Sequence, residues 1–116
     1  MLQGYEMRSS TPNTPKINPD LESDVMQSPA GQAYRVLIVE DDIELARLTA
    51  EYLEKRNIKV SIEHRGDEAL ARIAREQPHL VVLDVMMPGM DGFDICRELR
   101  NQGSDLPIVM LTARDE

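Results

Sequence analysis

Hydrophobic positions take on a regular pattern only from residue 34 onward. The run "YRVLIV" is apolar and β-branched with no polar face, the pattern of a strand buried on both sides, and it ends in Glu40, Asp41 and Asp42. In "DIELARLTAEYLEKRN", Leu45, Leu48, Thr49, Tyr52 and Leu53 recur at steps of three and four. That spacing predicts a helix with this face inward and Glu44, Arg47, Glu51, Glu54 and Lys55 in solvent. Asp41 followed three residues later by Glu44 resembles a capping box and starts the helix, and Asn57 is a stop signal. "IKVSIE" alternates well enough for a strand at a sheet edge. After Gly66, "DEALARIAREQ" predicts a short helix with Ala69, Leu70, Ile73 and Ala74 inward, ended by Pro78. "LVVLD" is a second doubly buried strand. Asp91 caps a helix through "GFDICRELRNQ" with Ile95, Cys96 and Leu99 inward, and Gly103 ends it. Pro107 then leads into "IVMLT", a fourth strand.

Strand and helix alternate throughout, which implies an α/β fold: parallel strands joined by right-handed crossovers, with helices on both faces. Residues 1–33 have no such pattern. Pro12, Pro15, Pro19 and Pro29 interrupt a stretch rich in Ser, Thr, Asn and Gln, so a disordered N-terminal tail is expected over 1–33 and one domain over 34–116.

Charge changes the picture by exclusion. With 21 acidic residues against 13 basic ones the net charge is -8, which argues against nucleic-acid or anionic-membrane binding by this chain and permits divalent cations. A single cysteine cannot form an internal disulfide, there is no apolar run long enough for a membrane span, and no secretory signal opens the chain. A cytoplasmic setting is expected.

Candidate chemistry gathers where the apolar strands end. Open α/β sheets bind ligands outside the carboxyl ends of their strands. Here those ends carry Glu40-Asp41-Asp42, Asp84 and Thr112, so neighbouring strands would bring several oxygen-bearing side chains to one mouth. Two carboxylates about 4 Å apart repel by about 4 kcal/mol at an effective dielectric near 20, and an all-oxygen donor set favours a hard cation, Mg²⁺ above Zn²⁺. An Asp beside Mg²⁺ can act as a nucleophile toward phosphorus.

"VLIVEDD", "VVLDVMMPGMDG" and "IVMLTA" together resemble the receiver domain of bacterial two-component response regulators, with wording similar to the branch joined to winged-helix DNA-binding domains. The resemblance implies a flavodoxin-like open parallel sheet of strand order 2-1-3-4-5 and a phosphorylation-dependent switch fed by a sensor histidine kinase. It implies Asp84 as phosphoacceptor and Glu40, Asp41, Asp84 and the backbone carbonyl of Met86 as Mg²⁺ ligands. Thr112 is implied as the switch hydroxyl, with the Ala113 backbone N–H beside the phosphoryl group. A homodimer of the full-length protein, with DNA bound through a domain absent from this chain, is implied as well. One feature departs from the family: its essential Lys at the end of a fifth strand, and the helix after it, have no counterpart before Glu116. The chain is therefore expected to hold four of five strands, with the "IVMLT" edge unpaired and one sheet face uncovered.

Plainer roles compete for several of these residues. Asp42 and Asp91 serve as helix caps, Pro88-Gly89 as a turn, Cys96 as core, and Met86, Met87 and Met90 as packing. His64 and His79 are assigned no chemistry. An aspartyl-nucleophile hydrolase of the haloacid-dehalogenase type needs a second Asp two positions after the first, where this chain has Met86. The reading is a non-enzymatic phosphoacceptor with at most self-catalysed transfer. Its alternative is a binding module or inactive fragment that keeps the fold without completing the site.

Overall fold

The computed structural model describes residues 2–7, 31 and 33–113. The elements are β1 (Leu2–Met7), β2 (Arg35–Val39), α1 (Ile43–Glu54), β3 (Lys59–Glu63), α2 (Ala69–Glu76), β4 (Leu80–Asp84), α3 (Gly92–Asn101) and β5 (Ile108–Ala113). A single 3-10 turn, Gly66–Glu68, leads into α2. The sheet order is β1-β5-β4-β2-β3. The strands β3, β2, β4 and β5 are parallel, and β1 pairs antiparallel with β5. The expected tail is thus corrected over Leu2–Met7, which form a strand. The β5 edge expected to be bare is corrected with it, because β1 occupies it. The rest of the expected tail, 8–30 and 32, lies outside the described residues.

Both faces of the central strands are buried, which is why β2 and β4 lack polar alternation. Leu37, Val39, Val81, Leu83, Ile108 and Met110 face Ala69 and Ile73 of α2 and Ile95, Cys96 and Leu99 of α3. Val36, Ile38 and Val82 face Ala46 and Ala50 of α1 on the other side. The expected inward face of α1 is partly corrected. Leu45, Thr49 and Leu53 are half-buried, but the helix is centred on Ala46 and Ala50, and Leu48 and Tyr52 are 51% and 58% exposed. Two alanines a turn apart let the helix axis approach the sheet closely, which turns the larger side chains outward. Ala74 of α2 is likewise exposed, not inward.

Helix ends follow local chemistry. The Asp42 carboxylate, not Asp41, caps α1 by accepting the Leu45 N–H at 3.0 Å, which corrects the expected start by one residue. Asp91 caps α3 through the Asp94 N–H at 2.9 Å. The Arg35 guanidinium at the start of β2 donates to the carbonyls of Glu76 and Gln77, satisfying the last turn of α2. Among the described residues, no helix is long and apolar enough to cross a membrane.

Candidate functional site

The register builds the site. Val39 of β2 lies level with Leu83 of β4, so the next residues, Glu40 and Asp84, emerge side by side at the carboxyl ends of adjacent parallel strands. On the far side of β2, Val39 pairs with Glu63 of β3. The strand order turns at β2, which lies between β3 and β4, so the crevice opens where a doubly wound sheet binds its ligands.

Glu40, Asp41 and Asp84 can each offer a carboxylate oxygen within 4.8 Å of the other two. They line a pocket of about 240 Å³ together with Asp42, Leu45, Met86 and Leu111. Glu40 is 4% exposed, Asp41 is open to solvent and Asp84 is half-buried, so the cluster runs from the sheet to the surface. Burial pushes the Glu40 carboxyl up to about 8, with the hydrogen bond and negative charge of Asp84 and a hydrogen bond with Asp41 adding to it; the Asp42 backbone N–H opposes the shift. A buried carboxyl beside two others holds a proton near neutral pH unless a cation replaces it. Three oxygen donors at this spacing, with no His or Cys among them, fit a hard divalent ion.

Backbone contacts hold the donors in place. Glu40 Oε2 accepts the Asp42 N–H at 3.1 Å, and Asp84 Oδ1 accepts the Met86 N–H at 3.0 Å. The Glu40 N–H donates to the Glu63 carbonyl, and the His64 ring lies 2.9 Å from the Glu40 carbonyl through Nδ1. His64, assigned no chemistry from sequence, therefore helps fix the strand end that carries Glu40. Gly92 is a second residue whose importance was missed. A β-carbon there would lie 2.7 Å from the Asp84 carbonyl oxygen, so only glycine lets α3 start this close to the site. The sequence signal was the Asp-Gly pair itself, since a glycine just inside a helix start marks a close approach as readily as a turn. Gly89, at φ +82, is a true turn position.

A family model described as the response regulator receiver domain matches residues 36–116. The chain belongs to this family. Transcriptional regulatory protein RstA of Escherichia coli K12 is 51% identical over 80 residues, covering 69% of this chain and 33% of that protein. Response regulator MprA of Mycobacterium avium is 47% identical over 81 residues, covering 70% and 36%. The chain thus spans about a third of the length of these curated relatives. Among solved structures, the BeF3-activated N-terminal receiver domain of Klebsiella pneumoniae RstA matches with a TM-score of 0.57 at 51% identity, covering 59% of this chain and 58% of that one. A Francisella response regulator 1452 receiver domain matches at 0.67 and 31%, covering 72% and 69%. The flavodoxin-like arrangement inferred from the motifs is the one observed for the four parallel strands.

As a receiver, the chain brings together most of the residues picked out from its motifs. Glu40, Asp41, Asp84 and Met86 share one pocket. Met86 is 70% exposed, which corrects its expected packing role, whereas Met87 is in the core. Asp84 is level with Leu111, so the backbone of Thr112 follows one step beyond it on the neighbouring strand, and Ala113 closes β5. The side chains of Thr112 and Ala113 lie outside the described residues. Lys55 caps the far end of α1 and Lys59 opens β3, so no lysine among the described residues reaches the pocket.

Proposed function

We propose that this receiver is the phosphoryl-accepting switch of a two-component phosphorelay, with Asp84 taking the phosphoryl group from a histidine kinase. The observation that carries the reading is the convergence of Glu40, Asp41 and Asp84 at the carboxyl ends of β2 and β4. Glu40, Asp41, Asp84 and the Met86 carbonyl would hold Mg²⁺. When bound, that ion neutralises the clustered carboxylates and the charge on the incoming phosphoryl group.

An Asp84 carboxylate oxygen attacks phosphorus, a P–O bond forms, and the P–N bond to the kinase imidazole breaks. The imidazole leaves with the bonding electron pair and takes up a proton. Water later attacks the acyl phosphate, releasing inorganic phosphate and restoring the carboxylate, so the chain is a phosphoacceptor more than an enzyme. The Met86 N–H donates to Asp84 Oδ1, and the other carboxylate oxygen would be the one to attack. Thr112 hydroxyl and Ala113 N–H would bind a phosphoryl oxygen that exists only after transfer, biasing β5 between two states. RstA, a relative named as a transcriptional regulatory protein, supports an output on transcription. Homodimerisation, a DNA-binding region distinct from this acidic domain and a cytoplasmic setting belong to the same proposal.

A second reading is a metal-binding module that keeps the receiver fold and holds the ion at Glu40, Asp41 and Asp84 without switching. Incubation with Mg²⁺ and a small acyl-phosphate donor separates the two. The switch reading expects a mass increase of one phosphoryl group that Asp84→Asn removes. Mg²⁺ binding with no modification would support the binding module instead.

A further inference from the structure

The loop between β4 and α3, residues 85–91, carries the Met86 carbonyl and has no helix or strand of its own to hold it. Local contacts tie down part of it. The Met86 N–H donates to Asp84 Oδ1 at 3.0 Å, the Met87 side chain is buried in the core, and the Gly92 N–H donates to the Val85 carbonyl at 3.3 Å. A further restraint comes from another element. Gly66, buried at the turn that leads from β3 into α2, lies against the backbone of Met90. A β-carbon on Gly66 would fall 2.2 Å from the Met90 carbonyl oxygen and 3.4 Å from Met87 Cε, a clash with the first and a contact with the second. The φ of Gly66 is not in the left-handed region, where Gly31, Gly89 and Gly103 lie, so space and not conformation calls for glycine here.

We propose that Gly66 is a positioning residue for the Mg²⁺ site: by letting the β3–α2 turn lie against Met90, it fixes the loop that presents the Met86 carbonyl. The inference rests on the reading of Glu40, Asp41, Asp84 and that carbonyl as the ion's ligands. The obstacle to any side chain at position 66 is a backbone oxygen, which cannot rotate away, so either the turn or the loop must move. The turn is the firmer of the two. The Arg65 N–H donates to Glu63 Oε2 at 3.1 Å, and Ala69 just beyond the turn is fully buried. Arg72 of α2 donates to the Ile62 carbonyl and pairs with Glu63 and Glu76. The loop has exposed Pro88 and Gly89, and it shares with the turn a cavity of about 340 Å³ that leaves it room to shift. A side chain at position 66 therefore displaces the loop, and with it the Met86 carbonyl and the Met86 N–H on Asp84, while all three carboxylates remain.

Mg²⁺ titrations of the whole chain, followed through the amide NMR signals of Asp84 and Met86, test this against two controls. Gly66→Ala should weaken Mg²⁺ binding by about tenfold, the order expected when a residue supporting a metal ligand is lost. In chelator, where no ion takes part, it should raise hydrogen exchange of the loop amides more than that of β2. Val36→Ala, at the opposite end of β2 from the site, removes buried volume without touching the loop and should leave the Mg²⁺ dissociation constant unchanged. Asp41→Ala should abolish binding. An unchanged dissociation constant in Gly66→Ala, or the same weakening in Val36→Ala, would overturn the proposal and leave the site reading standing. Mg²⁺ binding that survives Asp41→Ala in full would instead overturn the site reading, and the proposal with it. Should Gly66→Ala fail to fold, the wild type decides. There Mg²⁺ should shift the Gly66 amide signal along with that of Met86, and a Gly66 signal that stays in place would overturn the proposal.

Discussion

Replacing Glu40 by Gln should stabilise the ion-free protein near neutral pH and change little near pH 4. The Glu40 carboxyl is buried, and its pKa is raised to about 8 from an ordinary 4.5 by burial first and then by Asp84. A carboxyl whose folded pKa exceeds its unfolded value contributes stability that is fully present below about 4.5. That contribution is lost as pH rises through about 8. At about 1.4 kcal/mol per pH unit, the interval from 4.5 to pH 7 corresponds to about 3 kcal/mol lost by the wild type at pH 7. Gln keeps the volume and can still accept the Asp42 N–H, but it ionises in neither state. Urea melts in chelator should therefore show a difference near zero at about pH 4 and about 3 kcal/mol in favour of the variant at about pH 7. Mg²⁺ should then narrow or reverse the order, because it binds the native wild type more tightly than the variant. An equal difference at both pH values, or a variant less stable than wild type in chelator at pH 7, would refute the reasoning.

Other variants probe the frame around the site. Gly92→Ala puts a β-carbon 2.7 Å from the Asp84 carbonyl oxygen and 3.1 Å from Val85 Cα, and should cost about 1–3 kcal/mol in a urea melt while weakening Mg²⁺ binding. Asp42→Ala removes the α1 cap and should cost about 1 kcal/mol but retain a Mg²⁺-dependent rise in Tm. Asp41→Ala should abolish that rise and leave ion-free stability equal or slightly higher, as read in paired thermal melts. Thr112→Ala should still accept a phosphoryl group by mass while losing most of the phosphorylation-dependent self-association seen in sedimentation.

Much of the fold was legible because burial leaves its mark on composition. β2 and β4 are apolar on both faces, and Asp91 and Gly103 punctuate α3 with one residue each. Glu40 and Asp84 could be placed at one mouth because parallel strands end on the same side. Four features were harder to read. The buried face of α1 rests on Ala46 and Ala50, which a hydrophobic count ranks below the exposed Leu48 and Tyr52. Asp41 and Asp42 are chemically equivalent as caps, and only the entry angle of the helix distinguishes them. β1 has no hydrophobic period, since it is recruited through backbone groups of a strand at the opposite end of the sequence. The role of His64 depends on the Glu40 carbonyl coming within 2.9 Å of its ring, a proximity created by β2 and β3 pairing.

Trapping the acyl phosphate identifies the residue that takes the phosphoryl group. Protein treated with Mg²⁺ and an acyl-phosphate donor is reduced with borohydride, which converts a phosphorylated aspartate to homoserine, and is then digested and sequenced by mass. Homoserine is expected at position 84 alone, dependent on Mg²⁺ and lost in Asp41→Ala. Homoserine at Asp41, Asp42 or Asp91 with none at 84, or modification indifferent to Mg²⁺, would contradict it.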